Sequence, residues 1–214
     1  MKYDIILFDL DGTLTDSKPG ILNSATYALK SFGIEMDDMG NLNKFIGPPI
    51  RDSFRNNFGL AEDDVEKAVA KYREYFSVTG MFENSVYDGI IDLLEQLKKS
   101  GVTLAIATSK VEFYAAKIAE HFNFKHYFTT ISGCEMDGTG SSKKEVITAA
   151  LDRLDLSRQK RVVMIGDREH DILGAKQTGI TSIGITWGYG SHTELSAASA
   201  NYIANSPKEL IELL

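Results

Sequence analysis

Residues 4–16 read Asp-Ile-Ile-Leu-Phe-Asp-Leu-Asp-Gly-Thr-Leu-Thr-Asp, a short apolar run that ends in closely spaced acids. The run is typical of a buried strand. Asp9 ends it and Asp11 follows two residues later, next to Gly12, which permits a sharp turn. Because ligands bind at the carboxyl ends of strands in an open parallel sheet, both carboxylates are expected at a binding edge. Such close carboxylates repel each other unless a cation or a shared proton intervenes.

The 214-residue chain has an ordinary globular composition, with 43% hydrophobic and 25% charged residues. This balance excludes a disordered chain, and no apolar run approaches the roughly 20 residues of a membrane span. The net charge of −7 argues against general nucleic-acid binding, which depends on attraction to phosphate. Early acids argue against a secretory signal, and the single cysteine, Cys134, fits a reducing compartment, so we expect a cytoplasmic protein.

Further apolar runs recur in the second half of the chain, with helical patterns between them. The strand candidates are 102–107, 161–166 and 181–185, with weaker ones at 127–132 and 201–203. Three helix starts have the serine–glutamate spacing of a capping box, namely Ser142 with Glu145, Ser191 with Glu194, and Ser206 with Glu209. Strands that alternate with helices predict an α/β fold with a Rossmann-like, doubly wound parallel sheet.

Residues 16–81 interrupt this alternation with four helix-like pieces and no convincing strand. The sequence therefore predicts an inserted α-helical cap domain over 16–81 and a core formed by 1–15 and 82–214. Asp16 is expected to cap the first helix of the insertion. Two connections would join the cap to the core, so hinge closure would be able to exclude bulk water from a site between them.

A second acidic motif, Gly166-Asp167-Arg168-Glu169-His170-Asp171, follows the strand candidate at 161–166. Asp167 and Asp171 are four residues apart, so they lie on one face if the segment enters a helix. Acids also accumulate at helix N-termini because of the helix dipole, which is the simpler interpretation. Four carboxylates at two strand ends would suit a hard cation such as Mg²⁺.

Two short motifs complete the set. Thr108-Ser109-Lys110 follows the strand candidate at 102–107, where a hydroxyl and backbone N–H groups before a helix can hold an anion or simply cap the helix. Ser142-Lys143-Lys144 begins another helix. Cations are unfavourable at a helix N-terminus, so a lysine there indicates either an anion to neutralise or a solvated lysine pair.

These four motifs, in this order and across essentially the whole chain, resemble those of the haloacid dehalogenase-like (HAD) hydrolases, in particular the phosphoglycolate phosphatase-like branch with an α-helical cap. The resemblance implies that Asp9 is a nucleophile that forms an aspartyl-phosphate. It implies that Asp11 is the general acid for the leaving oxygen and then the base for water. Thr108 would bind the phosphoryl oxygens, and Lys143 would neutralise charge and hold Asp9.

The same resemblance implies a Mg²⁺ site formed by Asp9, the backbone carbonyl of Asp11, and Asp167, with Asp171 as a further ligand or as a support behind them. Substrate contacts are expected from Gly12 and Ser109 in the core and from Arg51 in the cap. A surface arginine at a helix start is an equally good interpretation of Arg51.

The chain departs from the family pattern at two motifs. Val111 stands where many relatives have proline, and Ser-Ser-Lys-Lys-Glu replaces a Lys-Pro-x-Pro string. The second departure leaves Lys143 and Lys144 as alternatives for the active-site lysine. Lys143 is preferred because counting back from Ala150 matches the helix start of close relatives.

The sequence thus predicts a Mg²⁺-dependent phosphatase for a small phosphorylated metabolite, either phosphoglycolate phosphatase-like or 5′-nucleotidase-like. A β-phosphoglucomutase-type phosphomutase and a phospho-aspartate signalling switch are the alternatives. A dehalogenase is disfavoured because it needs a single nucleophilic aspartate. No nucleic-acid or membrane partner is expected, and the chain is expected to be a monomer or a weak homodimer.

Overall fold

The computed structural model describes residues 1–35, 45–47, 50–154 and 161–214. The chain divides into two compact units, Met1–Asp16 with Val86–Leu214 and the inserted Ser17–Ser85. The insertion therefore begins one residue later and ends four residues later than the boundaries drawn from the sequence. No helix in the described part of the chain is long and apolar enough to cross a membrane.

The first unit is built on a six-stranded sheet in the order β5-β4-β1-β6-β7-β8, and every neighbouring pair is parallel. Its strands are β1 (Ile5–Phe8), β4 (Thr103–Val111), β5 (Thr130–Cys134), β6 (Val162–Gly166), β7 (Thr181–Ile185) and β8 (Tyr202–Ala204). A separate two-stranded sheet pairs β2 (Thr15–Asp16) with β3 (Ser85–Val86). The predicted α/β fold with a doubly wound parallel sheet is confirmed.

Helices follow the strands throughout this unit. Numbered after the three helices of the insertion, which are described below, they are α4 (Ile90–Lys99), α5 (Glu112–His121), α6 (Lys143–Asp152), α7 (Glu169–Thr178), α8 (His192–Ala197) and α9 (Pro207–Leu213). The three serines predicted as N-caps accept the expected backbone hydrogen bonds at the starts of α6, α8 and α9. Among these three helices, α6 has the full reciprocal capping box, formed by Ser142 and Glu145.

The core of this unit lies between the sheet and the helices α6 and α7. All four residues of β1 are buried, as expected for a central parallel strand covered on both faces. The members of this apolar cluster are Ile5, Leu7, Ala105, Ala107, Val146, Ile147, Ala150, Leu154, Met164 and Ala175. This packing holds the carboxyl ends of β1, β4 and β6 beside the start of α6.

One predicted strand end is wrong. Strand β4 does not stop at residue 107 but continues to Val111, and its register against β5 shifts between Ala107 and Val111. Thr108-Ser109-Lys110 therefore lies in the irregular end of a strand, and α5 begins only at Glu112. The extra strand residues re-aim these side chains, as bulges near strand ends commonly do.

The inserted unit is helical, as its pattern indicates. Helix α1 (Lys18–Lys30) packs on α3 (Glu62–Phe76), and a short α2 (Ile50–Asp52) continues as a π-helical turn over Ser53–Asn57. Gly20 approaches the backbone of Gly80 so closely that a Cβ would collide with its carbonyl.

The N-cap position of helix α1 is Ser17 and not Asp16, contrary to the expectation from the sequence. Ser17 occupies the N-cap position without a side-chain cap, and Asp16 instead accepts a hydrogen bond from the Tyr189 hydroxyl at 2.9 Å.

The capping box predicts a measurable contribution to stability at the start of α6. Ser142→Ala removes an acceptor for the Glu145 amide, so we expect the free energy of unfolding to fall by about 1 kcal/mol. Chemical denaturation followed by circular dichroism measures the change. Lys144→Ala, on an exposed position of the same turn, is the control and should change it by less than about 0.5 kcal/mol. Equal values for the two variants would contradict a stabilising cap.

Candidate active site

The site lies where the neighbouring strands β1 and β6 end. Asp9 follows β1, and its backbone N–H donates to the carbonyl of Ile165 in β6 at 2.9 Å. Asp167 follows β6 directly and is fully buried. The parallel pairing of the two strands therefore brings two distant acidic motifs to one edge of the sheet.

Lys143 links these motifs with a buried ammonium group. Its Nζ lies 2.9 Å from Oδ1 of Asp9 and 2.8 Å from Oδ1 of Asp171, and it donates to the carbonyl of Ala107 at 3.2 Å. Burial alone would lower the pKa of Lys143, but the Asp171 and Asp9 carboxylates hold it above its ordinary value. The structure places Lys143 in the cluster, whereas Lys144 is exposed.

A glycine inside α7 makes room for this lysine. A Cβ at Gly174 would lie 2.7 Å from Cγ of Lys143, so a larger residue there would displace the lysine side chain. Glycine is unfavourable inside a helix by about 1 kcal/mol relative to alanine. Gly174 is therefore a sequence signal for the lysine's position that sequence analysis missed.

Asp171 and Asp167 are each held by two groups. Asp171 accepts from the backbone N–H of Arg168 at 3.0 Å through Oδ2 and contacts Lys143 through Oδ1. Asp167 accepts from the Thr13 hydroxyl at 3.1 Å and from the backbone N–H of Tyr189 at 2.8 Å. These contacts fix both carboxylates in orientation.

Burial and mutual repulsion make two of the carboxyls bind protons more tightly than usual. Burial raises the pKa of Asp9 to about 6, with Asp171 adding to the effect and Lys143 opposing it. Burial, with the neighbouring charges of Asp171 and Asp9, raises the pKa of Asp167 to about 7. A cation among them would favour the ionised forms.

The acidic cluster has the donor set of a metal site. Carboxylate oxygens of Asp9, Asp167 and Asp171, all buried, lie within 4.8 Å of one another. Both polar contacts of the Asp9 carboxylate within the described residues fall on Oδ1, which leaves Oδ2 available to a ligand. An all-oxygen set suits a hard divalent cation.

Asp11 pairs with a lysine that sequence analysis did not assign to it. Nζ of Lys110 lies 2.6 Å from Oδ2 of Asp11, and the lysine side chain is only 8% exposed. The motif around Lys110 was noted for anion binding, but this pairing has no local signal because 99 residues separate the partners. Lys110 lies between Ala107 and Val111, the interval over which the register of β4 shifts against β5.

The remaining core residues predicted for the site take different positions. Thr108 is buried, and its Oγ1 accepts from the backbone N–H of Lys110 at 3.3 Å, while Ser109 is half-buried. Gly12 has a φ of +81°, and a Cβ there would collide with the Asp167 carboxylate. Its N–H donates to the carbonyl of Thr15 at 2.8 Å, so Gly12 supplies a turn and space.

The loop Trp187–Gly190 closes one side of the cluster. The indole N–H of Trp187 donates to the Thr13 carbonyl at 3.1 Å. Gly188 and Gly190 lie so close to Asp167 that a Cβ on either would overlap it. The glycine-rich sequence of this turn has no phosphate-loop spacing and by itself predicts a structural loop at the rim of the pocket.

Arg51 belongs to the inserted unit and is engaged there. Its guanidinium forms two hydrogen bonds to the carboxylate of Glu66, at 2.6 and 3.0 Å. The side chain is 22% exposed. Glu66 therefore engages two of the five N–H donors of Arg51.

A family model described as haloacid dehalogenase-like hydrolase matches residues 6–185. The chain therefore belongs to this family, as its motifs indicate. A 5′-nucleotidase from Pseudomonas aeruginosa is 47% identical over 92% of this chain and 89% of its own length. A phosphoglycolate phosphatase from Vibrio parahaemolyticus is 30% identical over 98% of this chain and 95% of its own length. These relatives identify the protein as a phosphatase of the HAD family, a phosphoric monoester hydrolase.

Two further comparisons concern other members of the group. The solved structure of a predicted phosphatase from Clostridium acetobutylicum has a TM-score of 0.94 and 46% identity, and covers 100% of this chain and 98% of that one. A protein named tyrosine-protein kinase PtkA, from Mycobacterium tuberculosis, is 39% identical over 94% of this chain and 68% of its own length. The same scaffold is thus found in relatives with different names.

The raised pKa of Asp167 predicts how stability depends on pH in metal-free protein. The folded state binds this proton more tightly than the unfolded state, so stability falls as pH rises from about 4 to about 7. Asp167→Asn cannot ionise, its amide oxygen can accept from the Tyr189 N–H, and its NH2 group can donate to the Thr13 hydroxyl oxygen. In EDTA at pH 7 we expect it to be more stable than wild type by about 1–3 kcal/mol, since each pKa unit is worth about 1.4 kcal/mol.

Denaturation at several pH values measures this difference, which should vanish near pH 4. Tyr189→Phe is the control because it keeps the backbone N–H to Asp167, and its stability difference should not follow this pH profile. A divalent cation should raise the melting temperature of wild type and not that of Asp167→Asn. A variant that is less stable than wild type at every pH would contradict the account.

Proposed function

We propose that this phosphatase is Mg²⁺-dependent, forms an aspartyl-phosphate on Asp9, and acts on small phosphomonoesters, with nucleoside 5′-monophosphates first among them. The proposal rests on the way in which the Asp9 carboxylate is held. Its Oδ1 is held by Lys143 and by the N–H of Leu10, and its Oδ2 remains for attack on phosphorus. A nucleophile fixed through one oxygen needs little reorientation before it reacts.

The residues present fit a Mg²⁺ ion. Asp9 and Asp167 are proposed as its carboxylate ligands, with the backbone carbonyl of Asp11. Asp171 is proposed to support from behind, since its two oxygens are already engaged by Lys143 and by the Arg168 N–H. When bound, Mg²⁺ would supply positive charge that offsets the repulsion between a carboxylate and a phosphate dianion.

The chemistry follows in two steps. In the first, Oδ2 of Asp9 bonds to phosphorus while the ester P–O bond breaks, and the leaving oxygen takes a proton from Asp11. In the second, water bonds to phosphorus and gives its proton to Asp11, while the bond to Asp9 breaks and inorganic phosphate leaves. Lys143 balances the charge of Asp9 throughout.

The phosphoryl oxygens would be held by Thr108 and Ser109. The Thr108 hydroxyl already accepts the N–H of Lys110, so its proton is available to donate to an anion. Arg51 is proposed to contact the rest of the substrate after it releases Glu66. The unit Ser17–Ser85 is proposed to be the cap that selects this part.

Substrate choice rests on relatedness. Identity to the 5′-nucleotidase is 47%, compared with 30% to the phosphoglycolate phosphatase, which favours nucleotides as the first substrates to test. The decisive experiment is phosphate release from nucleoside 5′-monophosphates, 2-phosphoglycolate, sugar phosphates and pyrophosphate, with Mg²⁺ and with EDTA.

We expect Mg²⁺-dependent release that EDTA removes. No release from any ester by folded protein would overturn the proposal. A requirement for a sugar bisphosphate activator would indicate a phosphomutase, and a long-lived aspartyl-phosphate without turnover would indicate a signalling switch.

The two aspartates of the first motif predict a clear mutational result. Asp9→Asn removes the nucleophile and Asp11→Asn removes the proton donor, so each should reduce kcat to the limit of detection. Neither should lower the melting temperature by more than a few degrees, since asparagine has nearly the shape of aspartate and its amide oxygen can still accept from the neighbouring lysine. Steady-state phosphate release and thermal denaturation measure both effects. Retention of most of the activity by Asp9→Asn would contradict the mechanism.

Lysine substitutions test which of the two neighbouring lysines acts in the site. Lys143→Ala leaves Asp9 and Asp171 buried without their cation, so we expect loss of hydrolysis and about 3–5 kcal/mol of destabilisation. Lys144→Ala is the matched control and should keep kcat within about twofold because its side chain is exposed. Phosphate release and denaturation at pH 7 give the comparison, and the reverse ranking would assign the role to Lys144.

A further inference from the structure

Lys110 forms an ion pair with Asp11, the proposed proton donor, but the mechanism above gives the lysine side chain no role. The two charged atoms are 2.6 Å apart, and the side chains are 8% and 22% exposed. A pair this sheltered is less screened by solvent than a surface salt bridge. The ion pair connects the end of β4 with the turn after β1.

The two oxygens of Asp11 have different surroundings. Oδ2 contacts Lys110, whereas Oδ1 is buried and has no hydrogen-bond partner in the described part of the chain. An unsatisfied buried oxygen is unfavourable, so it marks a position that a ligand or water completes. Of the two oxygens, Oδ1 is thus the one on which no contact from the described residues competes for a proton.

Without the lysine, the Asp11 carboxyl would be poorly restrained. The terminal torsion of an aspartate is broad and roughly two-fold, so its oxygens interchange easily. A single charged hydrogen bond to Oδ2 removes this freedom. The bond is compatible with a proton on the other oxygen, because Oδ2 still accepts from the ammonium when Oδ1 carries hydrogen.

We propose that Lys110 is a positioning residue for proton transfer, which holds Oδ2 of Asp11 so that Oδ1 faces the leaving oxygen of the ester. The inference rests on the proposed function and adds to it a second lysine with a separate role. In the first step the Oδ1–H bond breaks, its proton goes to the leaving oxygen, and its electron pair stays on the carboxylate. In the second step Oδ1 takes a proton from water.

The backbone of Lys110 makes a contact that side-chain variants do not remove. Its N–H donates to Oγ1 of Thr108, which belongs to the proposed phosphoryl-binding group. Replacement of the side chain therefore leaves this hydrogen bond in place and removes the contact with Asp11. Lys110→Met keeps the apolar stem and removes the charge, while Lys110→Arg restores a cation.

The test compares esters that differ in their need for a proton. An alkyl phosphate, such as the best nucleoside 5′-monophosphate, releases an alkoxide unless the leaving oxygen is protonated, whereas p-nitrophenyl phosphate releases a stable phenolate. Because kcat/KM reports the steps up to loss of the leaving group, it isolates the first proton transfer. With Mg²⁺, we expect Lys110→Met to lose about ten- to a hundredfold in kcat/KM on the alkyl ester, less than removal of the acid itself.

On p-nitrophenyl phosphate the same variant should stay within about threefold of wild type, and Lys110→Arg should recover much of the loss on the alkyl ester. Asp11→Asn should show the same selectivity more strongly when release of the leaving group is followed in a single turnover, because its steady-state turnover is lost with the base of the second step. Lys144→Met is the matched control and should leave both ratios unchanged. A shift in melting temperature with Mg²⁺ equal to that of wild type would show that Lys110→Met keeps its fold and cation site.

Three results would overturn the assignment. Equal losses on the two esters would make Lys110 a structural or phosphate-binding residue, and a loss confined to KM would make it a substrate contact. Full activity of Lys110→Met on the alkyl ester would show that the Lys110 side chain has no role in the proton transfer. If wild type hydrolyses neither ester, or if Asp9→Asn remains active, the proposed function itself fails and the inference fails with it.

Discussion

Repulsion among carboxylates at the ends of β1 and β6 is the constraint on which the rest of the site depends. Asp9, Asp167 and Asp171 present oxygens within 4.8 Å of one another inside the protein. Burial of such a group is unfavourable unless cations or protons accompany it. One buried lysine, Lys143, contacts Asp9 and Asp171 and supplies the cation. The pKa values of Asp9 and Asp167 are raised, so these carboxyls bind protons more tightly than usual.

The lysine in turn sets requirements on α6 and α7. A cation at the first position of a helix opposes the helix dipole. The chain compensates with the capping box of Ser142 and Glu145, which places a negative charge in the same turn, and with the two aspartates that Lys143 contacts. Gly174 on the facing helix leaves the space that the lysine side chain needs. Local helix chemistry and the electrostatics of the site are therefore linked.

Local patterns made the sheet and the acids predictable, whereas contacts made over long sequence distances were not. The apolar runs indicated each strand of the six-stranded sheet, and the spacing of Asp9 from Asp11 and of Asp167 from Asp171 indicated where the charges lie. Lys110 pairs with Asp11 at the part of β4 where the register shifts, and the amino-acid composition of the segment does not indicate such a shift. The contact of Asp16 with Tyr189 similarly joins residues that are 173 positions apart.

Mass spectrometry of acid-quenched enzyme would detect the aspartyl-phosphate on Asp9 itself. The protein is mixed with Mg²⁺ and its best phosphate ester, quenched within one turnover and digested. The account predicts that the peptide containing Asp9 gains the mass of one phosphoryl group, and that the gain is absent in Asp9→Asn. Rapid hydrolysis with no phosphoryl group on this peptide at any quench time, or with the group on another residue, would contradict it.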